Sequence, residues 1–415
     1  MKVLLVTMYF PPAGGGGVQR PLKTATHLPA LGIETHVLAP DDPKWMHRDD
    51  ELRAPTQAFV HRARYLGPRA RLPAEELHGL EGSDKLVAQA KLAYRRLLLP
   101  DASVTWVPTA IPTAVRIVKR EGIDAVITTS PPVSMNLIGA AVKRLTGIPW
   151  VADLRDAILL NADRRFDRTA VQAKEKALEG IVRHVARSAN AVVAVSETIA
   201  DEVRRYDPAG PVRVIPNGCD FDDFAGLDYR PGERFRITHA GSFFGQRNPQ
   251  PFLSALASSG LDDVVARFAG GLRAADEEWA GTLGLGDRLE LLPYLPHRQA
   301  LELQRDSEAN LLLLPEADGR GAVVPSGKIF EYLAAERPIL AAVPPDGAAA
   351  KLVRETGAGV VVAPEDEKGI REAILGLHAR WRAGRLGNGY LSPDQRQKLS
   401  REARVEELAE LLWSL

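Results

Sequence analysis

The stretch Lys2-Val3-Leu4-Leu5-Val6-Thr7-Met8-Tyr9-Phe10-Pro11-Pro12-Ala13-Gly14-Gly15-Gly16-Gly17 decides how the chain folds. Lys2–Tyr9 is a short apolar run rich in branched residues, as expected of a strand covered on both faces. Two prolines and four glycines follow, and a helical pattern begins near Val18. Strand, glycine turn and helix make the first unit of a parallel α/β sheet. Glycine permits positive φ and close backbone approach, and the first N–H groups of the next helix point at the same place, which suits an anion or a sugar hydroxyl. Pro21 is tolerated in a first turn, whereas Pro29 ends or bends the helix. A dinucleotide fingerprint fits poorly, because the G-x-G-x-x-G spacing is absent and Glu34, where a ribose-binding acid is expected, precedes a strand.

Working outward, the same alternation recurs. Strands are expected at Thr35–Ala39, Ala125–Thr129, Trp150–Ala152, Ala191–Val195 and Val212–Ile215, most of them followed by Gly, Pro, Ser or Asp and then a helical period. It pauses at Pro216-Asn217-Gly218-Cys219-Asp220 and restarts at Phe235–Ala240, with further strands near Ala266–Ala269, Leu289–Leu292, Ala309–Leu314, Ile339–Ala342 and Gly359–Val362. Two Rossmann-like halves follow: residues 1–218, a linker at 219–233, and residues 234–392. Residues 393–415 read as a final helix with Leu399, Ala403, Leu408, Leu411 and Leu412 as its apolar stripe. Residues 41–105 are the least legible part.

The bulk numbers agree. A chain of 415 residues fits two domains of about 150–200 residues each. Its 53 basic and 53 acidic side chains cancel, which removes the strongest general reason to expect a nucleic-acid partner. The single cysteine, Cys219, forms no intramolecular disulfide and suits a reducing compartment. Met1–Val6 does not read as a signal peptide, and no window approaches the roughly 20 apolar residues needed to span a bilayer. A cytoplasmic protein is expected, with at most peripheral contact at the inner face of a membrane.

Four polar constellations carry the candidate chemistry. Asp153-Leu154-Arg155-Asp156 lies just past a buried strand, where open α/β sheets bind ligands, so Asp153 and Asp156 are candidates to bind or deprotonate an acceptor. Arg155 can equally hold both carboxylates ionised, which makes a structural ion-pair turn the alternative. Thr128-Thr129-Ser130-Pro131-Pro132-Val133-Ser134-Met135-Asn136 is a second strand-end loop reaching the same region. In the second half, Gly241-Ser242 through Gly245 and Arg247 follow a strand, with glycines for close approach and a guanidinium for a diphosphate. Pro325-Ser326-Gly327-Lys328 opens a helix whose first amides and ammonium suit an anion, and Glu331 lies one turn on, placed to accept both ribose hydroxyls. Cations for a leaving diphosphate and a carboxylate for ribose are what a metal-independent nucleotide-sugar enzyme needs.

The ordered set Phe10–Gly17, Ser130-Pro131-Pro132, Asp153–Asp156, Val195-Ser196-Glu197, Ile215–Gly218, Gly241-Ser242 through Arg247, and Gly327-Lys328 with Glu331 resembles the GT-B glycosyltransferases, most closely the retaining family 4. The resemblance implies two Rossmann-like domains facing across a cleft and a final helix returning to the first domain. It implies a nucleotide-diphosphate sugar, a UDP-sugar among the candidates, as substrate, with no cofactor and no metal. Gly241, Ser242, Arg247, Ser326, Gly327, Lys328 and Glu331 would hold that donor. Gly15, Gly16, Asn136, Asp153, Arg155 and Asp156 would meet a small-molecule, glycan or lipid-linked acceptor, and Arg247, Lys328 and Asp156 would serve the chemistry. Two departures stand out: Val323 occupies the place of a second family glutamate, with Glu316 near but out of register, and Asn136 stands where related sequences carry histidine. Two rivals remain: a nucleotide-sugar epimerase of the same architecture, which needs no acceptor, and a catalytically silent partner subunit. The basic, leucine-containing segment His61–Leu99 includes a candidate amphipathic helix at Lys85–Leu99, read either as a solvated helix face or as a surface for anionic lipid.

Overall fold

The computed structural model describes residues 1–42, 47–68, 80–159, 169–243, 246–322, 326–387 and 390–415. The chain divides into two compact units: residues up to Asn217 together with Glu402–Leu415, and the segment Gly218–Arg401.

In the first unit, the strands among the described residues are β1 (Lys2–Val6), β2 (Glu34–Pro40), β3 (Phe59–Ala63), β4 (Ala125–Ser130), β5 (Trp150–Leu154), β6 (Ala191–Ala194) and β7 (Val212–Val214). They form one sheet in the order β3-β2-β1-β4-β5-β6-β7, and each pairing is parallel. Helices α1 (Gln19–His27), α2 (Gly82–Leu97), α3 (Val107–Glu121), α4 (Met135–Thr146), α5 (Thr169–Ser188) and α6 (Glu197–Arg204) connect them. Burial on both faces explains the nearly continuous apolar runs of β1, β4 and β5. The order reverses between β1 and β4, so the crevice at their carboxyl ends is where ligands of such sheets bind.

The second unit repeats the plan with β8 (Phe235–Ala240), β9 (Val264–Ala269), β10 (Leu289–Leu292), β11 (Ala309–Leu313), β12 (Ile339–Ala342) and β13 (Gly359–Val362) in the parallel order β10-β9-β8-β11-β12-β13. Its helices are α7 (Gln250–Ala257), α8 (Ala274–Gly281), α9 (His297–Arg305), α10 (Gly327–Ala334), α11 (Ala348–Thr356), α12 (Glu367–Arg382) and α13 (Pro393–Leu399). Here the switch point lies between β8 and β11.

Residues 219–233, expected as a connector, are built into this second unit, because Cys219, Phe224 and Leu227 bury in its core. The expected helix at 393–415 is two helices. The chain breaks at Ser400, the extended C-cap of α13, before α14 (Arg401–Trp413) begins. Val405, Leu408, Ala409, Leu411 and Leu412 of α14 bury in the first unit's core with Val3, Leu5, Val37 and Ile127. The α/β class, the two Rossmann-like sheets and the return of the terminal helix therefore all stand.

Both passages between the units are clamped together inside the second. Cys219 donates its N–H to the Leu399 carbonyl at 2.7 Å, and Arg401 donates its N–H to the Cys219 carbonyl at 2.9 Å. The Arg401 guanidinium closes the junction on the Asp220 carboxylate at 3.2 Å. A Cβ on Gly218 would lie 2.7 Å from the Cα and N of Arg401. Backbone cannot step aside as a side chain does, so Gly218→Ala is expected to destabilise the protein by about 1–3 kcal/mol, read as a lowered urea midpoint. An unchanged midpoint would show that the junction yields freely.

Candidate functional site

The second unit gathers the cations. At the carboxyl end of β8, His239 is buried with Nδ1 2.9 Å from the Leu311 carbonyl, so the neutral ring donates its proton there. Burial, reinforced by the positive charges of Lys328 and Arg247, pushes its pKa down from 6.5 to about 3. Two cations 81 residues apart in sequence thus act on one buried imidazole at the switch point. Gly241 follows at φ +136°, and a Cβ there would lie 2.2 Å from Lys328 Cε and 2.6 Å from Nζ. The absence of a side chain at 241 is what admits the ammonium. Gly270 performs a similar service at the end of β9, where a Cβ would lie 2.9 Å from the Ser242 nitrogen.

Helix α10 fixes the other side. Ser326 caps it, accepting from the Lys328 N–H at 3.4 Å, and Gly327 is exposed with open space where a Cβ would stand. The Tyr332 hydroxyl accepts the Ala240 N–H at 3.2 Å, tying the helix to the end of β8. One turn beyond Lys328, Glu331 takes a hydrogen bond on Oε2 from Gln304 Nε2 at 3.0 Å. Gln304 is fully buried on α9 and orients a half-buried carboxylate, a part that reading the sequence missed. Val323 and Gly245 lie outside the described residues. Glu316 is exposed in the segment after β11, where its carbonyl accepts the Gly321 N–H.

His239 has a measurable consequence of its own. Its folded pKa lies below the unfolded value, so below about pH 6.5 the unfolded chain binds a proton that the folded protein does not. Stability is therefore expected to fall by about 1.4 kcal/mol per unit as pH drops from about 6.5 towards 4.5, beyond the slope of a His239→Asn variant. Parallel slopes for the two proteins in urea titrations would refute it.

In the first unit, the glycine loop packs against its own strand and a neighbouring turn. Gly14 N–H donates to the His47 carbonyl at 2.9 Å, and Asp49 N–H donates to the Pro12 carbonyl at 3.0 Å. Gly15 has φ +87°, and Gly16 is exposed with nothing within 4 Å of a Cβ built on it. Gly16 thus presents open backbone in the loop that follows β1.

Two residues read as acceptor ligands make extensive hydrogen bonds within the scaffold. Asp153 is buried, and its Oδ1 takes the Nε and Nη2 of Arg20 at 3.2 and 2.8 Å. Its Oδ2 takes the Thr129 hydroxyl at 2.8 Å. Arg20 also donates to the carbonyls of Ile215 and Pro216 at 3.1 and 3.0 Å, so it pins α1 to β5 and to the exit of β7. Arg155 meets both carboxylates through charge, and the hydrogen bonds it makes among the described residues go to backbone carbonyls. Its guanidinium donates to the carbonyls of Gly17 and Pro131, both at 2.7 Å, bracing the glycine loop against the proline loop. The cause in both cases is burial: an enclosed charge needs every donor and acceptor used.

Asp156 is exposed beside Arg155. Asn136 is buried in the first turn of α4, its Nδ2 donating to Val133 at 3.2 Å while Oδ1 has no partner among the described residues. The Ser130 hydroxyl and Gln19 Oε1 are likewise buried without partners among them. These orphaned oxygens follow the ends of β4 and β1, the two strands that flank the reversal of sheet order.

The comparisons with known proteins bear on this arrangement. A family model, Glycosyltransferase Family 4, matches residues 14–223, just over half of the chain. The chain belongs to that family. No curated protein matches the sequence. Among solved structures, sucrose-phosphate synthase from Thermosynechococcus elongatus is similar at TM-score 0.68 and 16% identity, over 100% of this chain and 98% of that one. Anabaena HepE in complex with UDP-glucose is similar at TM-score 0.64 and 16% identity, over the whole of both chains. A UDP-N-acetylglucosamine 2-epimerase, so named putatively, from Listeria monocytogenes matches at TM-score 0.54 and 12% identity, over 98% of this chain and 94% of that one. At these identities the structures speak for the fold, and it is the GT-B fold. Among the described residues, no helix is long and apolar enough to cross a membrane.

Proposed function

We propose that this family 4 member transfers a sugar from a nucleotide-diphosphate donor to an acceptor hydroxyl, with retention of configuration and without a metal. One observation carries the reading: Arg247 and Lys328 gather on the end of β8, at the second unit's switch point, with the Gln304-oriented carboxylate of Glu331 one helical turn away. As the anomeric carbon–oxygen bond breaks, negative charge grows on the departing diphosphate, where Arg247, Lys328 and the first amides of α10 would stabilise it. The acceptor oxygen forms the new bond on the same face, and its proton passes to a leaving phosphate oxygen, so no enzyme nucleophile is required. Glu331 would accept the ribose hydroxyls, with Gly241, Ser242, Ser326 and Gly327 lining the donor.

On the acceptor side, Gly15, Gly16, Asn136 and Asp156 remain the proposed contacts, and Arg155 acts by holding the glycine loop. The acceptor is a small molecule, a glycan or a lipid-linked sugar. UDP-sugars are the first donors to try, because the HepE structure holds UDP-glucose.

A thermal-shift panel of nucleotide diphosphates and nucleotide sugars tests the donor site, since ligands that bind only the native state raise its melting temperature. UDP or another nucleoside diphosphate should raise it in the intact protein and not in Glu331→Ala. No shift with any nucleotide would sink the proposal. The epimerase that shares the fold supplies the second reading, and incubation of donor alone separates them: an epimerised sugar would favour that chemistry over transfer.

A further inference from the structure

Helix α2 carries its apolar face outward. Leu97 is 79% exposed, Leu86 67%, Tyr94 52% and Val87 50%. With Ala90, Leu86, Tyr94 and Leu97 fall at i, i+4, i+8 and i+11, one stripe along the helix, with Val87 beside it. The side turned to the protein is the opposite one: Ala88 is buried, and Leu92 and Arg95 are half-buried. A helix with an apolar stripe ordinarily buries that stripe, so this helix is reversed. Of the twelve large hydrophobic residues exposed among the described residues, seven lie between Phe59 and Leu99. The apolar exposure is therefore concentrated rather than scattered.

The charge of the helix says what covers the stripe. Lys85, Lys91, Arg95 and Arg96 against Asp84 leave the helix at +3, whereas the whole chain is neutral. Lys91 borders the stripe and Lys85 lies further round, both exposed, with long stems that carry the ammonium towards a surface level with the apolar groups. An exposed apolar stripe with lysines to its sides matches a flat anionic surface, which takes in apolar side chains and attracts the lysines.

We propose that α2 is a membrane-docking element that lies in the interface of an anionic lipid bilayer, with Leu86, Ala90, Tyr94 and Leu97 inserted. Docking is independent of the transfer reaction, so either can fail without the other.

Co-sedimentation with phosphatidylcholine vesicles containing phosphatidylglycerol is expected to retain the protein, pure phosphatidylcholine to retain much less, and added salt to weaken retention. Leu86→Glu/Leu97→Glu should lower vesicle partitioning by about tenfold or more with an unchanged melting temperature, as both sites are exposed. Because Cys219 is buried, a thiol-reactive, polarity-sensitive dye on Tyr94→Cys reports this face alone, and its emission should shift to the blue on anionic vesicles. The same dye on Leu145→Cys, exposed just before the end of α4, should not shift. Absence of wild-type binding, equal binding by the Leu86/Leu97 variant, or an unshifted Tyr94→Cys dye would overturn the proposal. So would a concentration-dependent dimer, seen by sedimentation, that the glutamates dissociate, since a second copy would then be the occupant.

Discussion

Lys328→Ala is expected to lower the turnover number for sugar transfer by about 10²–10³-fold, the usual cost of deleting one preorganised group that meets charge developing in a transition state. The ammonium sits against the bare Cα of Gly241 and acts on His239 together with Arg247, so its removal takes away one of these two positive charges at the end of β8. If that charge serves the departing diphosphate, the loss falls on kcat more than on the donor KM. Lys328→Arg should recover only part of the rate, because a planar fork does not fit the slot that Gly241 leaves for a compact ammonium. Glu331→Ala should behave differently, raising the donor KM with a smaller fall in kcat, since a ribose contact is made alike in ground and transition states. Steady-state kinetics of the three variants decide it. A Lys328→Ala protein that transfers at the wild-type rate would remove the basis for the donor site.

The largest effect on stability is expected at Arg20→Leu. The substitution leaves the buried Asp153 carboxylate with Thr129 and strips donors from the carbonyls of Ile215 and Pro216. Breaking a buried pair from one side costs about 3–5 kcal/mol. In a domain of 150–250 residues that amounts to a fall of roughly 6–20 °C in melting temperature. Asp153→Asn should also melt early, by a smaller margin, because an amide still hydrogen-bonds but meets the guanidinium without charge. The pair of measurements separates two roles for Asp153. A scaffold residue loses melting temperature, whereas an acceptor base loses rate with the melting temperature intact.

The sheets were legible in the sequence wherever a short, mostly apolar run is bounded by turn residues. Phe235–Ala240, Leu289–Leu292, Ile339–Ala342 and Gly359–Val362 coincide with the strands residue for residue. The edge strand Phe59–Ala63 was not, because a half-exposed run of Phe, Val, His, Arg and Ala shows neither a continuous apolar stretch nor clean alternation. Phe224 and Leu227 hid for another reason: they fill the second unit's core from a short irregular segment with no period to read.

At the candidate site, loop chemistry was legible and partnership was not. Glycine at 241 and lysine at 328 announce themselves by type and position, but nothing local shows that one makes room for the other. Asp153 looked available because its partner Arg20 is 133 residues away, in helix α1. Gln304 carries no motif, and only its burial against Glu331 marks it.

Helix α14 belongs to the first unit's core yet follows every residue of the second. On a ribosome, the amino-terminal sheet therefore emerges with an uncovered apolar face that waits for Val405–Leu412 while the other domain is made and folded. The later half completes first, so the nascent chain carries an aggregation-prone surface while the second unit is synthesised. Chaperone dependence of this protein should accordingly be set by elongation rate rather than by the stability of either finished domain.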